Sequence, residues 1–173
     1  KSENHIKLET QIKCMRGFLN FVERGNAQQR LFAKFPIIEA LAENLDEIII
    51  PAKILFFRII SRLFDNEDEK LLCKFSSLQN ASLFMRNLSV DDNELSTAIL
   101  RALYGVLKRF PIFALSFSET NMCEFLTMTL DVKTFEQKRA AVKIIKCIVM
   151  GITKSQIAER YMNEEIINQL IAF

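Results

Sequence analysis

One short pattern, basic-x-apolar-x-x-apolar-apolar, recurs four times along this chain at nearly constant spacing. The copies are Arg16-Gly17-Phe18-Leu19-Asn20-Phe21-Val22, Arg58-Ile59-Ile60-Ser61-Arg62-Leu63-Phe64, Arg101-Ala102-Leu103-Tyr104-Gly105-Val106-Leu107 and Lys143-Ile144-Ile145-Lys146-Cys147-Ile148-Val149. Their leading basic residues stand at 16, 58, 101 and 143, so the intervals are 42, 43 and 42. A period of this length marks a supersecondary unit that cannot bury its own apolar face and must stack on its neighbours. The expectation is an all-α chain, an α-solenoid of about four repeats over residues 7–45, 46–90, 91–131 and 132–173, forming one domain across 1–173. A four- or eight-helix bundle would give no reason for the period.

In each copy the residue before the basic one (Met15, Phe57, Leu100, Val142) and the residues two, five and six after it are apolar, the stripe of a helix buried on one side. A second helix is expected after a short break in each repeat, ending in Leu41 and Leu45, Leu83 and Met85, Leu126 and Leu130, and Ile167 and Leu170. The breaks hold Gly25-Asn26, Asp65-Asn66, Phe110-Pro111 and Gly151. Polar clusters at Asn44 to Glu47, Asp91 to Glu94 and Asp131 to Thr134 suit helix stops and caps, as do Ser76-Ser77 and Ser118-Glu119. With four glycines and three prolines, tight turns are scarce. Only Ile48-Ile49-Ile50 is β-branched enough to be locally ambiguous with a strand.

At 50% hydrophobic residues the chain can bury a core without disulfides or metal. Cys14, Cys73, Cys123 and Cys147 are widely spaced inside apolar helical patterns, and are expected to be buried, reduced thiols of an intracellular, cytoplasmic protein. A net charge of +2 gives no bulk electrostatic argument for nucleic acid or a membrane surface, so any charge-based recognition must be local. Apolar runs such as Ile144 to Met150 fall well short of the roughly 18 residues of a membrane span, so no membrane insertion is expected. The triplets Asn80-Ala81-Ser82 and Asn87-Leu88-Ser89 have the glycan-acceptor pattern, which arises often by chance. A start at Lys1 and an apolar ending from Ile166 to Phe173 suggest a piece of a longer chain.

The period and the apolar frame resemble armadillo repeats, which run about 40–47 residues. Their last helix typically reads W-A-L-S-N-I-A; here the apolar frame is kept, a basic residue replaces the tryptophan in every copy, and only Asn20 keeps the asparagine. Importin-type gripping of basic peptides by a Trp and Asn ladder is therefore disfavoured. A narrower similarity is to the small four-repeat armadillo nucleotide exchange factors of heat-shock-70 chaperones. Their A-L-F-A-L-S-S-L-L-R-like helix is similar to Lys53 through Leu63, and their N-x-x-x-Q motif is loosely similar to Asn26-Ala27-Gln28-Gln29, where the glutamine comes one residue early.

What the armadillo resemblance implies is a groove floored by the last helix of each repeat, with equivalent positions in a row. Carried onto this sequence, the row is Arg16, Arg58, Arg101 and Lys143, with Asn20, Ser61, Arg62, Tyr104 and Lys146 about one turn further on. Regularly spaced cations can hold carboxylates or phosphates, and Tyr104 adds an amphipathic contact. The expected function is a non-enzymatic protein-interaction scaffold that takes an acidic or phosphorylated segment. The rival is an exchange factor that clamps a chaperone ATPase domain. A solvated polar face would look the same in sequence. Elsewhere, Arg30, Lys34, Lys70, Lys74 and Arg160 stand among Glu39, Glu67 and Glu159 and read as a mixed solvated surface. No repeated code of paired polar residues points to RNA.

No enzyme is expected. The single histidine, His5, lies near the amino terminus, away from any nucleophile pattern, and the glycines form no phosphate-binding loop. Asp91-Asp92 and Glu164-Glu165 read as caps and solvated charge. No cofactor or metal is called for. Among fifteen phenylalanines, Phe56, Phe64, Phe110 and Phe113 occupy patterned or loop-anchoring positions.

Overall fold

The computed structural model describes residues 2–66, 68–72, 80–88, 90–117, 120–151 and 161–172; these contain ten α-helices, two 3-10 helices and no strand. The chain divides into two compact units, Lys1–Gln79 and Asn80–Phe173.

The first unit contains α1 (Ser2–Val22), α2 (Asn26–Phe32), α3 (Ile37–Glu43), a 3-10 turn (Leu45–Glu47), α4 (Ile50–Phe64) and α5 (Glu69–Leu72). Its principal packing is α1 along α4. The stripe anticipated on α4 is fully inside: Phe57, Ile60, Leu63 and Phe64 are all buried, with Phe56 and Ile59 beside them. Phe56 and Phe57 meet edge to face at 5.3 Å, and Phe18 of α1 meets Phe32 of α2 at 5.6 Å. Each fully buried phenylalanine contributes about 1.5–3 kcal/mol of transfer free energy. The ambiguous isoleucines resolve simply. Ile48 and Ile49 are extended, and Pro51 near the helix start, where a missing N–H costs nothing, lets α4 begin at Ile50.

Gly25 turns the chain from α1 into α2 at φ 121°, a conformation that L side chains rarely adopt. The single second helix expected between the long helices is instead two short ones. Pro36 lacks the N–H that a continuous helix would need, and it caps α3.

The second unit contains α6 (Ala81–Leu88), α7 (Asn93–Arg109), a 3-10 helix (Pro111–Phe117), α8 (Met122–Val132), α9 (Phe135–Gly151) and α10 (Glu164–Ala172). Here α7 packs along α9, with the 3-10 helix against both. Asp92 caps α7 by accepting from the Leu95 N–H at 2.8 Å. Thr134 and Gln137 make a reciprocal capping box at the start of α9, in which Gln137 Oε1 accepts from the Thr134 N–H at 3.1 Å and Thr134 Oγ1 from the Gln137 N–H at 3.4 Å. The fully buried Gln137 also donates through Nε2 to the Asn93 carbonyl at 3.1 Å, tying the start of α9 to that of α7. Phe84, Phe113 and Phe117 form an aromatic chain with centroids 6.1 and 5.0 Å apart.

The two units share a register. After the first long helix of each, the following elements start at 26, 37 and 50 in one and at 111, 122 and 135 in the other, a uniform offset of 85 residues. Arg16 and Arg58 map in this way onto Arg101 and Lys143. The proposed caps Ser76-Ser77 and Ser118-Glu119 lie outside the described residues. Gly151, expected in a break, is the last residue of α9.

The cysteines do not share one environment. Cys123 is buried and Cys147 half-buried, but Cys14 is exposed, contrary to expectation. Met15 takes the inward position on α1 at 3% exposure, which turns its neighbour Cys14 about 100° away toward solvent. Cys73 lies outside the described residues. Asn87 is 1% exposed and donates to the Leu83 carbonyl at 2.8 Å, so it is a core amide, not a glycan acceptor.

Candidate functional site

The second unit gathers three of the expected residues around one groove. On α7, Tyr104, Leu107 and Lys108 stand at i, i+3 and i+4; on α9, Lys143, Lys146, Cys147 and Met150 stand at i, i+3, i+4 and i+7. Because the two helices pack together, these faces border a common cavity of about 480 Å³, with Pro111 of the 3-10 helix completing the lining. The Lys143 ammonium lies 5.2 Å from the centre of the Tyr104 ring, a cation–π contact worth roughly 0.5–1 kcal/mol at an exposed site.

Lys108, Lys143 and Lys146 are exposed, and no carboxylate is among the described residues that line the groove. The remaining lining is apolar: Leu107, Pro111, Cys147 and Met150, the last 76% exposed. Burial pushes the Cys147 thiol above its ordinary pKa, although Lys146 and Lys108 pull it down.

Arg101, on the same helix as Tyr104, does not line this groove. Its guanidinium pairs with Glu136 of α9. Both partners are about half exposed, so the pair contributes about 0–1 kcal/mol.

In the first unit the expected residues are more dispersed. Arg16, Asn20 and Arg58 are exposed and Ser61 is half-buried. Arg62 pairs with Glu23 at 3.4 Å and with Asp65 at 3.6 Å, and these three line a polar cavity of about 480 Å³ with Val22, Asn26, Gln29 and Asn66. The amides inside it are satisfied within the protein: Gln29 donates to the Val22 carbonyl, and Asn66 donates to Gln29 and to Asn26. A second cavity of about 490 Å³ is bordered by Cys14, Met15 and Phe18 of α1 and by Leu41 and Ile48. Arg16, Asn20, Arg58 and Ser61 line neither.

The sequence reading missed Lys108, Cys147 and Met150. Their signal was present as helical spacing, since Lys108 is one turn beyond Tyr104 and Met150 one turn beyond Lys146. On the other surfaces, Arg30 pairs with Asp68 at 2.9 Å, while Lys74, Arg160, Glu67 and Glu159 lie outside the described residues. Asp92 is a cap, and Glu164 and Glu165 are exposed in the first turn of α10. Among the described residues no three of His, Cys, Asp and Glu cluster as metal ligands would, and no helix is long and apolar enough to cross a membrane. Comparison with protein-family models, with curated proteins and with solved structures finds no match to the chain.

Proposed function

We propose that this chain is an armadillo-like α-solenoid that acts as a non-enzymatic interaction scaffold, holding an acidic or phosphorylated segment of a protein partner. The repeat part of the reading is supported by the 42-residue period, by the shared register of the two units, and by the pairing of pattern-bearing helices within each, α1 with α4 and α7 with α9. The observation that carries the function is the groove of the second unit, where Lys108, Lys143 and Lys146 rim a cavity whose described lining has no acid. Unbalanced positive charge next to apolar surface recruits anions and holds them, because desolvation by the wall strengthens each ion pair.

The other arginines of the row contribute less. Arg62 and Arg101 are already paired with carboxylates, and a ligand would have to displace Glu23, Asp65 or Glu136 to use them.

The reading is tested by titrating a fluorescein-labelled polyglutamate peptide against the wild-type chain and a Lys143→Glu/Lys146→Glu variant, with thermal unfolding as the control. Both positions are exposed and Lys143 gives up only its contact with the Tyr104 ring, so the variant should unfold within about 1 kcal/mol of the wild type. Affinity should fall by more than about tenfold, given that each lost ion pair at a partly desolvated site is worth roughly 1 kcal/mol or more and each introduced repulsion a similar amount. Equal affinity of the two proteins would remove the proposal.

A further inference from the structure

The basic groove has a second chemical character that a purely electrostatic site would not need. Of its eight described lining residues, Leu107, Pro111, Cys147 and Met150 are apolar or nearly so, and Tyr104 adds its ring. Met150 is 76% exposed, and Ile112, next to Pro111, is 69% exposed. A bare polyanion satisfied by the lysines would leave this surface in water.

Resting on the reading that the groove binds anionic chains, we infer that its occupant is an amphipathic segment in which one large apolar side chain stands beside carboxylates or phosphates. The apolar side chain seats on Pro111 and Met150 against Cys147, above the buried Leu107, while Lys108, Lys143 and Lys146 take the flanking anions. The volume fits this division, since about 480 Å³ lies within the roughly 300–1,000 Å³ of sites that enclose an apolar group with a few polar contacts. Methionine suits the seat because its unbranched thioether adapts to aliphatic and aromatic partners alike. Charge supplies the first selection and the apolar seat the second, so an acidic run without an anchor is held loosely.

The test uses the whole chain and three labelled peptides: glutamates around one central phenylalanine, the same peptide with serine for phenylalanine, and the phenylalanine peptide with glutamine for every glutamate. Binding is read by anisotropy, and the alkylation rate of Cys147 is followed in parallel by peptide mapping of iodoacetamide-treated protein. The first peptide should bind about tenfold or more tighter than the serine peptide, as burial of one aromatic side chain implies, and should slow Cys147 alkylation. Met150→Gln, at an exposed position, should erase that difference.

Equal binding of the phenylalanine and serine peptides, with Met150→Gln silent, would overturn the inference while leaving the anionic reading standing. Equal binding of the glutamine peptide would overturn both, as would no binding of either acidic peptide. A fourth peptide with phosphoserines in place of two glutamates distinguishes phosphate from carboxylate as the anion, either of which the inference accommodates.

Discussion

Gln137 ties together the starts of the groove's two helices, and Gln137→Leu is the substitution that exposes this. The amide is fully buried and makes three contacts: Oε1 accepts from the Thr134 N–H and from Thr134 Oγ1, each at 3.1 Å, and Nε2 donates to the Asn93 carbonyl at 3.1 Å. Leucine has similar bulk and no polar atoms. Losing the capping box costs about 1 kcal/mol, leaving the part-buried Thr134 N–H without a partner adds about 1–2 kcal/mol, and the lost bond to the Asn93 carbonyl, which keeps Thr97 Oγ1 as a donor at 2.7 Å, adds about 1 kcal/mol. The added apolar surface returns about 1 kcal/mol, so the net cost is roughly 2–3 kcal/mol. For a chain of this size that is a fall in Tm of about 5–10 °C. Thr134→Ala, which leaves the bond to Asn93 intact, should cost only about 1 kcal/mol. Urea unfolding followed by circular dichroism gives both numbers, and amide exchange in α7 and α9 locates the effect. A Gln137→Leu variant within about 0.5 kcal/mol of wild type would refute the claim that this side chain joins the two helices.

Other consequences follow from single residues. Gly25→Ala should destabilise the first unit by about 1–3 kcal/mol through backbone strain alone, because the added methyl meets nothing within 4 Å at a φ of 121°; unchanged urea unfolding would contradict this. Asn66→Leu should cost about 1–3 kcal/mol, since Gln29, Asn26 and the Asp68 N–H all lose a partner, and the same unfolding measurement checks it. Cys147 holds its proton more tightly folded than unfolded, so the stability it contributes is complete below the ordinary thiol range near pH 8.5 and is lost as the pH rises through the higher folded value. Replacing it with alanine should flatten that alkaline decline in unfolding free energy.

How far the sequence carried the structure varied with the physics of each feature. The long helices were legible because their cores repeat a strict apolar spacing; Leu103, Val106 and Leu107 are buried where the pattern put them. The split of the second helices was not legible from apolar spacing, because it depends on where Pro36 interrupts a backbone hydrogen bond. Cysteine burial was misjudged at Cys14, where one step along α1 changes inward to outward.

The candidate site was legible in part. Tyr104, Lys143 and Lys146 do share a groove, since each sits at a helical spacing on a pair of helices that pack together. Arg62 and Arg101 differ for a reason that composition could not expose. Glu23, in the turn after α1, and Glu136, on α9, are brought near by packing alone; only Asp65, three residues after Arg62, was a partner legible in sequence.

Zero-length carbodiimide coupling tests the central claim most directly, because it joins a carboxylate only to an ammonium group already in contact with it. With the glutamate peptide bound to the whole chain, peptide mapping should place the new amide bonds on Lys108, Lys143 and Lys146. Coupling spread equally over other exposed lysines such as Lys7, Lys13 and Lys34 would contradict the account, since it would mean that the groove of the second unit holds no anionic chain.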